Sequence, residues 1–582
     1  MRTPSTVRVR KMLIVAQDPA VHDAKGNLLV TEVKIPEEGL SPGPSGYRVH
    51  VIDYDASTRT LYKPAELDRI VRGVRKPLFS TAGEVDIEDR RFHAQNVYAI
   101  VMRTLYRFES AFGRRVGWGF RGAAHVLKVA PHAFADSNAF YSEADEALLF
   151  GYFQGRAGLI YSCLSHDVIA HEATHALLGG LRGRFSNPSS PDQAAFHEGF
   201  ADTVALLSMF SLRDMVKAVL DRSFAGLAPE EGDSNLIHER YLTSESLSQS
   251  LLLGLAKQMG QEMSRIRGQA LRQSAMLKPS PRYLMEEEFQ EPHRRGEIFV
   301  AAVINAFLHV LTKRLGSLGK FQGEFLNRDR AAEEAADAAD YLLTVVIRAL
   351  DYTPPVHLEF GDYLSALLTA DHEIRPDDSK YQYRRALLDS FRSYGIKPTS
   401  RSSDGLWLPP SFDTRNDRVH FDSMTRDPEE VFRFIWENRH ALGLLDGIYT
   451  QVVSVRPCQR VDPEDGFFLR ETVVECIQVL ELEAWELHKL RIRKPSAMPA
   501  DMVLNLQGGL TLIFDEYGKL KFSVSNQLYD EARPEVQRRQ SRRLKHLWES
   551  GFFRQGTSFA RRFASLHRRR AMGGTQPSAE GW

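Results

Sequence analysis

The chain has 582 residues, of which 43% are hydrophobic, and its 75 Lys and Arg are balanced by 75 Asp and Glu. This length predicts roughly two to four domains with sizeable cores, and the zero net charge argues against a protein that binds nucleic acid over its whole surface. The cysteines, Cys163, Cys458 and Cys476, are too few and odd in number for a disulfide framework.

The N-terminal residues carry no strong targeting signal. Their apolar stretch, Met12–Ala16, is shorter than the apolar core of a secretory signal peptide. No apolar run along the chain is long enough to be expected to cross a bilayer. We therefore expect a cytoplasmic protein without a transmembrane segment.

The first part of the chain, residues 1–87, is predicted to be a β-rich segment. Hydrophobic residues alternate or cluster in strand-like runs at residues 11–15, 28–35 and 47–54. A loop rich in Pro, Gly and Ser, residues 39–46, separates the last two runs. Helical periodicity follows at residues 88–112, and residues 124–160 again have the composition of strands.

The next predicted helix contains the pattern H-E-x-x-H, formed by His171, Glu172 and His175. On a helix the two histidines lie one turn apart on the same face, so both imidazoles can bind one Zn²⁺. Glu172 is then placed to take a proton from an attacking water. Gly179–Gly180 is predicted to end the helix. The alternative is a buried helix with two ordinary histidines.

A zinc hydrolase needs a third protein ligand and one position for water. Residues 196–207 are predicted to form a second helix, on which Glu198 and Asp202 share a face. Glu198 is the candidate third ligand, with His197 as a rival. Asp202 can accept the second ring N–H of a zinc-binding histidine and so fix its tautomer.

These helices resemble the zinc site of the thermolysin-like gluzincin metallopeptidases. The resemblance rests on two segments, residues 167–176 (DVIAHEATHA) and 197–202 (HEGFAD). It implies that His171, His175 and Glu198 hold one Zn²⁺ per chain. It also implies that Glu172 is the general base and that Asp202 orients His171.

Two further segments are similar to the same family. Residues 138–141, Asn-Ala-Phe-Tyr, resemble an edge-strand segment that holds a peptide substrate by strand addition. The resemblance implies substrate binding by the Asn138 side chain and the Ala139 backbone. In the family, a His before a long apolar helix stabilises the oxyanion of the tetrahedral intermediate, which implies this role for His293. The alternative for residues 138–141 is an ordinary strand end, and the alternative for His293 is a surface histidine.

The chain also departs from the family pattern. The family usually has a Tyr between the second zinc His and the third ligand as a second oxyanion donor. Residues 176–197 contain no Tyr, and Phe185 stands near the expected position. Secreted members bind Ca²⁺ through acidic residues after the third-ligand helix, where this chain has residues 204–210, VALLSMF. We therefore expect no double calcium site.

The resemblance implies an α+β fold, with a zincin catalytic region at residues 88–395 that is β-containing first and helical afterwards. Helical periodicity predicts long helices at residues 245–275, 297–316, 328–350, 360–371 and 380–393. Residues 396–410 are predicted to be a linker, and residues 411–532 an accessory α+β domain. Strands are predicted there at residues 471–482, 502–513 and 519–524, with a hairpin turn at Asp515–Gly518.

The C-terminal residues 533–582 are predicted to be a basic tail, disordered at residues 572–582. Its arginines favour a solvated helical extension. The alternative is an anionic partner, such as nucleic acid, a membrane surface or an acidic protein. Nucleic acid is not expected, because no nucleic-acid-binding motif accompanies the tail.

Together these features predict a zinc-dependent metallopeptidase that hydrolyses peptide or protein substrates. The segment before the H-E-x-x-H pattern has no G-x-M-E-N-like amine anchor, which favours an endopeptidase over an aminopeptidase. Two alternatives remain open at this point. One is a catalytically restrained or inactive zinc-binding scaffold, and the other is a zinc enzyme that hydrolyses small amides.

Overall fold

The computed structural model shows a mixed α+β protein. It describes residues 8–20, 22, 26–71, 74–120, 125–155, 158–186, 188–223, 235–247, 274, 277–321, 323–416, 418–461 and 468–553.

Strands occupy the N-terminal part and the C-terminal part of the chain. They are β1 Val9–Val15, β2 Val30–Pro36, β3 Val49–Val51, β4 Tyr54–Asp55, β5 Thr60–Leu61, β6 Asp68–Val71, β7 Val74–Pro77, β8 Leu127–Ala135, β9 Ala139–Ser142, β10 Ala147–Gln154, β11 Leu159–Tyr161, β12 Leu236–His238, β13 Phe325–Asn327, β14 Tyr449–Val461, β15 Phe468–Glu483, β16 Val503–Phe514 and β17 Leu520–Asn526.

Helices dominate the middle of the chain. They are α1 Arg90–Phe112, α2 His166–Leu181, α3 Pro191–Phe210, α4 Arg213–Ser223, α5 Pro292–Gly316, α6 Arg328–Arg348, α7 Phe360–Ile374, α8 Tyr383–Ser393, α9 Phe421–Met424, α10 Pro428–Asn438 and α11 Pro534–Glu549.

A mixed five-stranded sheet forms the framework of the first half. Strands β3, β8 and β10 lie side by side and run parallel to one another. Strands β9 and β11 pair antiparallel with successive parts of β10. Helix α1 packs against this half; Asp89 caps its first turn, and Gly113 ends it with a positive φ of 64°. Within the described residues, β9 pairs only with β10, so its other edge is open.

Helices α2, α3 and α5 to α8 pack together behind this sheet. Helices α3 and α5 approach especially closely at Gly199 and Gly296. A Cβ added to Gly199 would lie 2.8 Å from the Gly296 carbonyl oxygen, too close for any side chain. The absence of side chains at this crossing therefore sets the distance between the two helices.

Helix α5 is long and apolar enough, by length and composition alone, to cross a membrane. In the folded chain, however, 78% of its most apolar window is buried inside the protein. A core helix that is covered on all sides is apolar all round. The burial of α5 is consistent with a soluble protein.

A four-stranded antiparallel sheet, β14 to β17 in chain order, forms the C-terminal part. Side chains alternate between its two faces, as they do along any strand. Val473 and Ile513 belong to the hydrophobic core that also contains the helices of the middle region. Val474 and Leu512 point the other way, into a second core with Phe434 of α10. One face of this sheet thus completes the core of the helical region.

Buried charges also join the C-terminal sheet to the helical region. Glu471 of β15 forms an ion pair with Arg348 at the end of α6, and the two side chains are fully buried. The Tyr352 hydroxyl donates a hydrogen bond of 2.9 Å to Glu471, and Lys521 of β17 lies 2.7 Å from the same carboxylate. One buried carboxylate therefore accepts bonds from both sides of the interface.

Residues 396–410, predicted to be a linker, contain neither helix nor strand. They are nevertheless held against the helical region. The Trp407 backbone N–H donates to the Thr369 hydroxyl at 2.9 Å, and its indole N–H donates to the Tyr352 carbonyl at 2.9 Å. The Thr399 N–H donates to the Gly361 carbonyl at 3.1 Å.

Most predicted elements agree with the structure to within a few residues. The predicted helix end at Gly179–Gly180 is one residue early, because α2 continues to Leu181. These glycines instead permit the backbone at residues 117–119 to lie directly against the helix, and a Cβ on Gly180 would meet the Gly117 carbonyl. Nearly all of the predicted helix at 245–275 lies outside the described residues.

The described part of the basic tail is helix α11. It packs inward through Arg539 and Arg543, which lie 3.3 and 3.5 Å from the carboxylate of Glu359. The predicted disorder at residues 572–582 lies outside the described residues.

Candidate metal centre

Helix α2 carries His171 and His175 into the interior of the protein. Both side chains are buried, and their Nε2 atoms lie 2.8 Å apart. The buried Thr174 hydroxyl between them is satisfied within the helix, because it donates to the Ala170 carbonyl at 2.7 Å. The two rings therefore point to one position, as the i, i+4 spacing predicts.

Helix α3 brings Glu198 to the same position. Ser190 caps the helix by accepting a hydrogen bond from the Gln193 N–H. The Glu198 carboxylate lies 3.6 Å from His171 Nε2 and 3.8 Å from His175 Nε2.

The separations between these donor atoms, 2.8, 3.6 and 3.8 Å, bracket those around a zinc ion, and the two imidazole nitrogens lie closer together than bound zinc would hold them. One donor atom from each of His171, His175 and Glu198 lies within 4.8 Å of the other two. Tetrahedral zinc with bonds of about 2.0–2.2 Å places neighbouring donors roughly 3.3–3.6 Å apart. Two imidazoles and one carboxylate are also a common donor set for zinc in hydrolases. The structure thus brings together all three predicted ligands.

Asp202 lies behind the first histidine, where it was predicted. Its Oδ1 is 2.7 Å from His171 Nδ1, one turn of α3 beyond Glu198. The carboxylate favours a proton on Nδ1, which leaves the lone pair of Nε2 directed at the centre.

Replacing Asp202 with Ala is expected to weaken zinc binding about 10–100-fold, because His171 loses the group that fixes its ring. Competition against a coloured chelator measures the affinity. Asp389→Ala on α8, which removes an exposed carboxylate, is the control and should bind zinc like the wild type. An unchanged affinity in Asp202→Ala would mean that helix packing alone orients His171.

His197, the rival candidate for the third ligand, lies on the side of His175 that faces away from Glu198. The two rings stack with centroids 4.7 Å apart, and their Nδ1 atoms are separated by 2.8 Å. His197 therefore contacts the nitrogen of His175 that faces away from Glu198. It supports the second histidine, much as Asp202 supports the first.

Glu172 lies between the centre and the edge strand β9. Its Oε2 accepts a hydrogen bond of 3.1 Å from the Tyr141 backbone N–H. Just before this strand, the Asn138 carbonyl accepts from the Gly151 N–H of β10, so Ala139 turns its own backbone groups to the open edge. Asn138 Oδ1 accepts the Ala139 N–H at 2.9 Å. The predicted base and the predicted substrate strand are thus neighbours.

His293 stands in the first turn of α5, beside the third ligand. Its Nε2 lies 3.4 Å from Glu198 Oε2, and its Nδ1 lies 2.7 Å from Glu291. Burial acts to raise the pKa of Glu291, but the hydrogen bond from His293 prevails and lowers it. The alternative of a surface histidine does not hold, since His293 is only 7% exposed.

The sequence analysis missed two residues that position His293. Glu291 both caps α5, by accepting from the Arg294 N–H, and anchors the His293 ring. Gly199 directly follows Glu198, and its contact with Gly296 brings α5 next to α3. An acidic residue before Pro-His at a helix start was the available signal for Glu291. The glycine contact had no local signal, because its two members lie on different helices.

Phe185 does not replace the missing tyrosine. It is fully buried and packs edge-on against Phe196, with ring centroids 6.0 Å apart. A phenyl ring in that position offers no hydrogen-bond donor.

Comparison with known proteins gives no family model that matches this sequence and no significant match among curated proteins.

Proposed function

We propose that this protein is a zinc-dependent metalloendopeptidase with a thermolysin-like zincin catalytic region. The observation that carries the proposal is the convergence of His171, His175 and Glu198 on one buried position, next to Glu172. The proposal rests on the chemistry of these side chains and on their separations.

When bound, zinc lowers the pKa of water and polarises the scissile carbonyl. Glu172 takes the proton from the attacking water and then passes it to the leaving amine. The hydrogen bond from the Tyr141 N–H to Glu172 supports this role, because it ties the base to the strand beside the substrate. Proton transfer needs such proximity before it needs a particular pKa.

We propose that the substrate binds as an additional strand along the open edge of β9. Ala139 offers its backbone carbonyl to the incoming peptide, and main-chain hydrogen bonds of this kind supply affinity without demanding a particular sequence. Asn138 keeps its Oδ1 on the Ala139 N–H, so its amide NH₂ is the group that donates to the substrate.

His293 is the proposed donor to the oxyanion of the tetrahedral intermediate. The Glu291 carboxylate holds Nδ1, and Nε2, which lies on the side of Glu198, is the ring nitrogen that would donate to the oxyanion. Such a donor acts only on charge that develops in the transition state. Because Phe185 supplies no hydroxyl, His293 carries this stabilisation without help from a tyrosine.

Removal of zinc by a strong chelator is expected to abolish cleavage of a broad peptide library, and added zinc is expected to restore it. Metal analysis and mass spectrometry of the products, on the same preparations, measure both quantities. Cleavage of internal bonds would agree with an endopeptidase. Bound zinc without cleavage of any peptide would favour the catalytically inactive zinc-binding scaffold. Cleavage of small amides alone would favour the zinc enzyme that hydrolyses small amides.

We also propose a cytoplasmic location, on the state of the cysteines. Cys163, Cys458 and Cys476 are all unpaired and buried. Unpaired thiols are the usual state in a reducing compartment.

A further inference from the structure

Three buried side chains far from one another in sequence meet at a second position in the first half of the protein. His93 lies on α1, His132 on β8, and Cys163 in the 3₁₀ turn Ser162–Leu164 that directly precedes α2. Their exposed fractions are 1%, 0% and 0%. One donor atom from each lies within 4.8 Å of the other two.

The outer nitrogen of each histidine already has a partner. His93 Nε2 is 2.5 Å from the Ile87 carbonyl oxygen, which requires a proton on Nε2. His132 Nδ1 is 2.8 Å from Asp53 Oδ1, which requires a proton on Nδ1. The Arg90 guanidinium also lies 3.4 Å from His132 Nδ1, but this contact is longer than that of the carboxylate.

The inner nitrogens are consequently left with lone pairs that face each other. His93 Nδ1 and His132 Nε2 lie 2.8 Å apart. Two lone pairs at this distance repel unless a proton or a metal cation lies between the nitrogens. The geometry therefore places one donor atom from each of two buried imidazoles and the buried Cys163 side chain around a single position.

We propose that His93, His132 and Cys163 form a second metal site, which binds zinc through two imidazoles and one thiolate. Thiolate and imidazole together suit zinc better than the hard cations calcium and magnesium. The inference does not depend on the proposed peptidase activity.

The second position and the first centre share one arrangement of side chains. There, too, two imidazole nitrogens face each other at 2.8 Å, and the outer nitrogen of His171 contacts the carboxylate of Asp202. At the second position a carboxylate and a backbone carbonyl hold the outer nitrogens. These are the usual partners of metal-binding histidines, because they fix the ring and raise its basicity.

Zinc binding would also change the state of Cys163. Burial raises the pKa of this thiol well above its usual value, so the metal-free side chain keeps its proton. On binding, the S–H proton leaves to solvent and the thiolate becomes the ligand. The site would then tie α1, β8 and the turn before α2 together, with the Tyr161 ring packed 4.7 Å from His93.

Metal content of the full-length chain tests the proposal. The wild type is expected to hold about two zinc ions per chain, and Cys163→Ser, His93→Gln and His175→Gln about one each. The His93→Gln variant keeps the thiol, so the test does not depend on whether Cys163→Ser folds. Cys476→Ser, which removes a buried thiol from β15, is the control and should hold as much zinc as the wild type.

Cobalt in place of zinc identifies the ligand. The wild type and His175→Gln are expected to show the near-ultraviolet charge-transfer band of thiolate-bound cobalt, and Cys163→Ser is expected to lack it. A wild type without this band, or a band that persists in Cys163→Ser, would overturn the proposal. If the first centre fails to bind zinc, the wild type would hold about one ion and keep the band, and this inference would stand.

Discussion

Glu172→Gln is expected to keep its zinc and to lose about 10²–10⁴-fold in kcat on peptide substrates. Glutamine has the shape of glutamate but cannot take a proton from water. Glu172 is not one of the three donors that converge on the metal position, so zinc content should match the wild type. Steady-state kinetics and metal analysis on the same preparation measure the two quantities.

His293→Gln is the informative comparison, because His293 lies beside Glu198 and is the proposed oxyanion donor rather than the base. It should lower kcat by about 10²–10³-fold with little change in KM, as expected for a donor that acts on the transition state. Full activity in Glu172→Gln would rule out the mechanism.

Glu471→Ala is expected to lower the free energy of unfolding by about 3–5 kcal/mol. The substitution removes the fully buried partner of Arg348 and leaves a positive charge inside the protein. It also removes the acceptor for the Tyr352 hydroxyl, which is itself buried. Arg348 keeps weaker contacts, at 3.5 Å to Asp351 and 3.3 Å to the Phe112 carbonyl, which do not replace the lost ion pair.

Urea denaturation of the full chain, followed by both fluorescence and circular dichroism, measures this loss. Asp389→Ala is the matched control, because it breaks an ion pair with Arg385 in which both side chains are at least half exposed. Exposed pairs contribute about 0.2–1 kcal/mol, so the control should unfold close to the wild type. Equal effects of the two substitutions would show that the buried pair is not important for stability.

The metal centre could be predicted from sequence to the extent that its residues obey local spacing. His171 and His175 are one helical turn apart, and Asp202 is one turn beyond Glu198, so the fixed geometry of a helix brings each pair together. The structure places all four side chains next to one another. Local spacing also left His197 as a rival to Glu198. The sequence does not say which of two neighbouring side chains on α3 faces His171 and His175.

Other features depend on tertiary contacts that no local pattern records. His93, His132 and Cys163 come from a helix, a strand and a turn, and no spacing rule relates them. The role of Gly180 was also misjudged, because a glycine near a helix end usually acts as a stop. Here the close approach of another backbone segment explains its small size.

The shared core of the helical region and the C-terminal sheet has a consequence for synthesis on the ribosome. The helices leave the ribosome before β15 and β16, whose side chains Val473 and Ile513 complete their core. Until Glu471 has been made, Arg348 also lacks its ionic partner. Until β15 and β16 have been synthesised, such a nascent chain exposes apolar surface. Exposed apolar surface attracts chaperones and favours aggregation. Premature termination before β15 would accordingly release an unstable fragment rather than a folded, shorter protein.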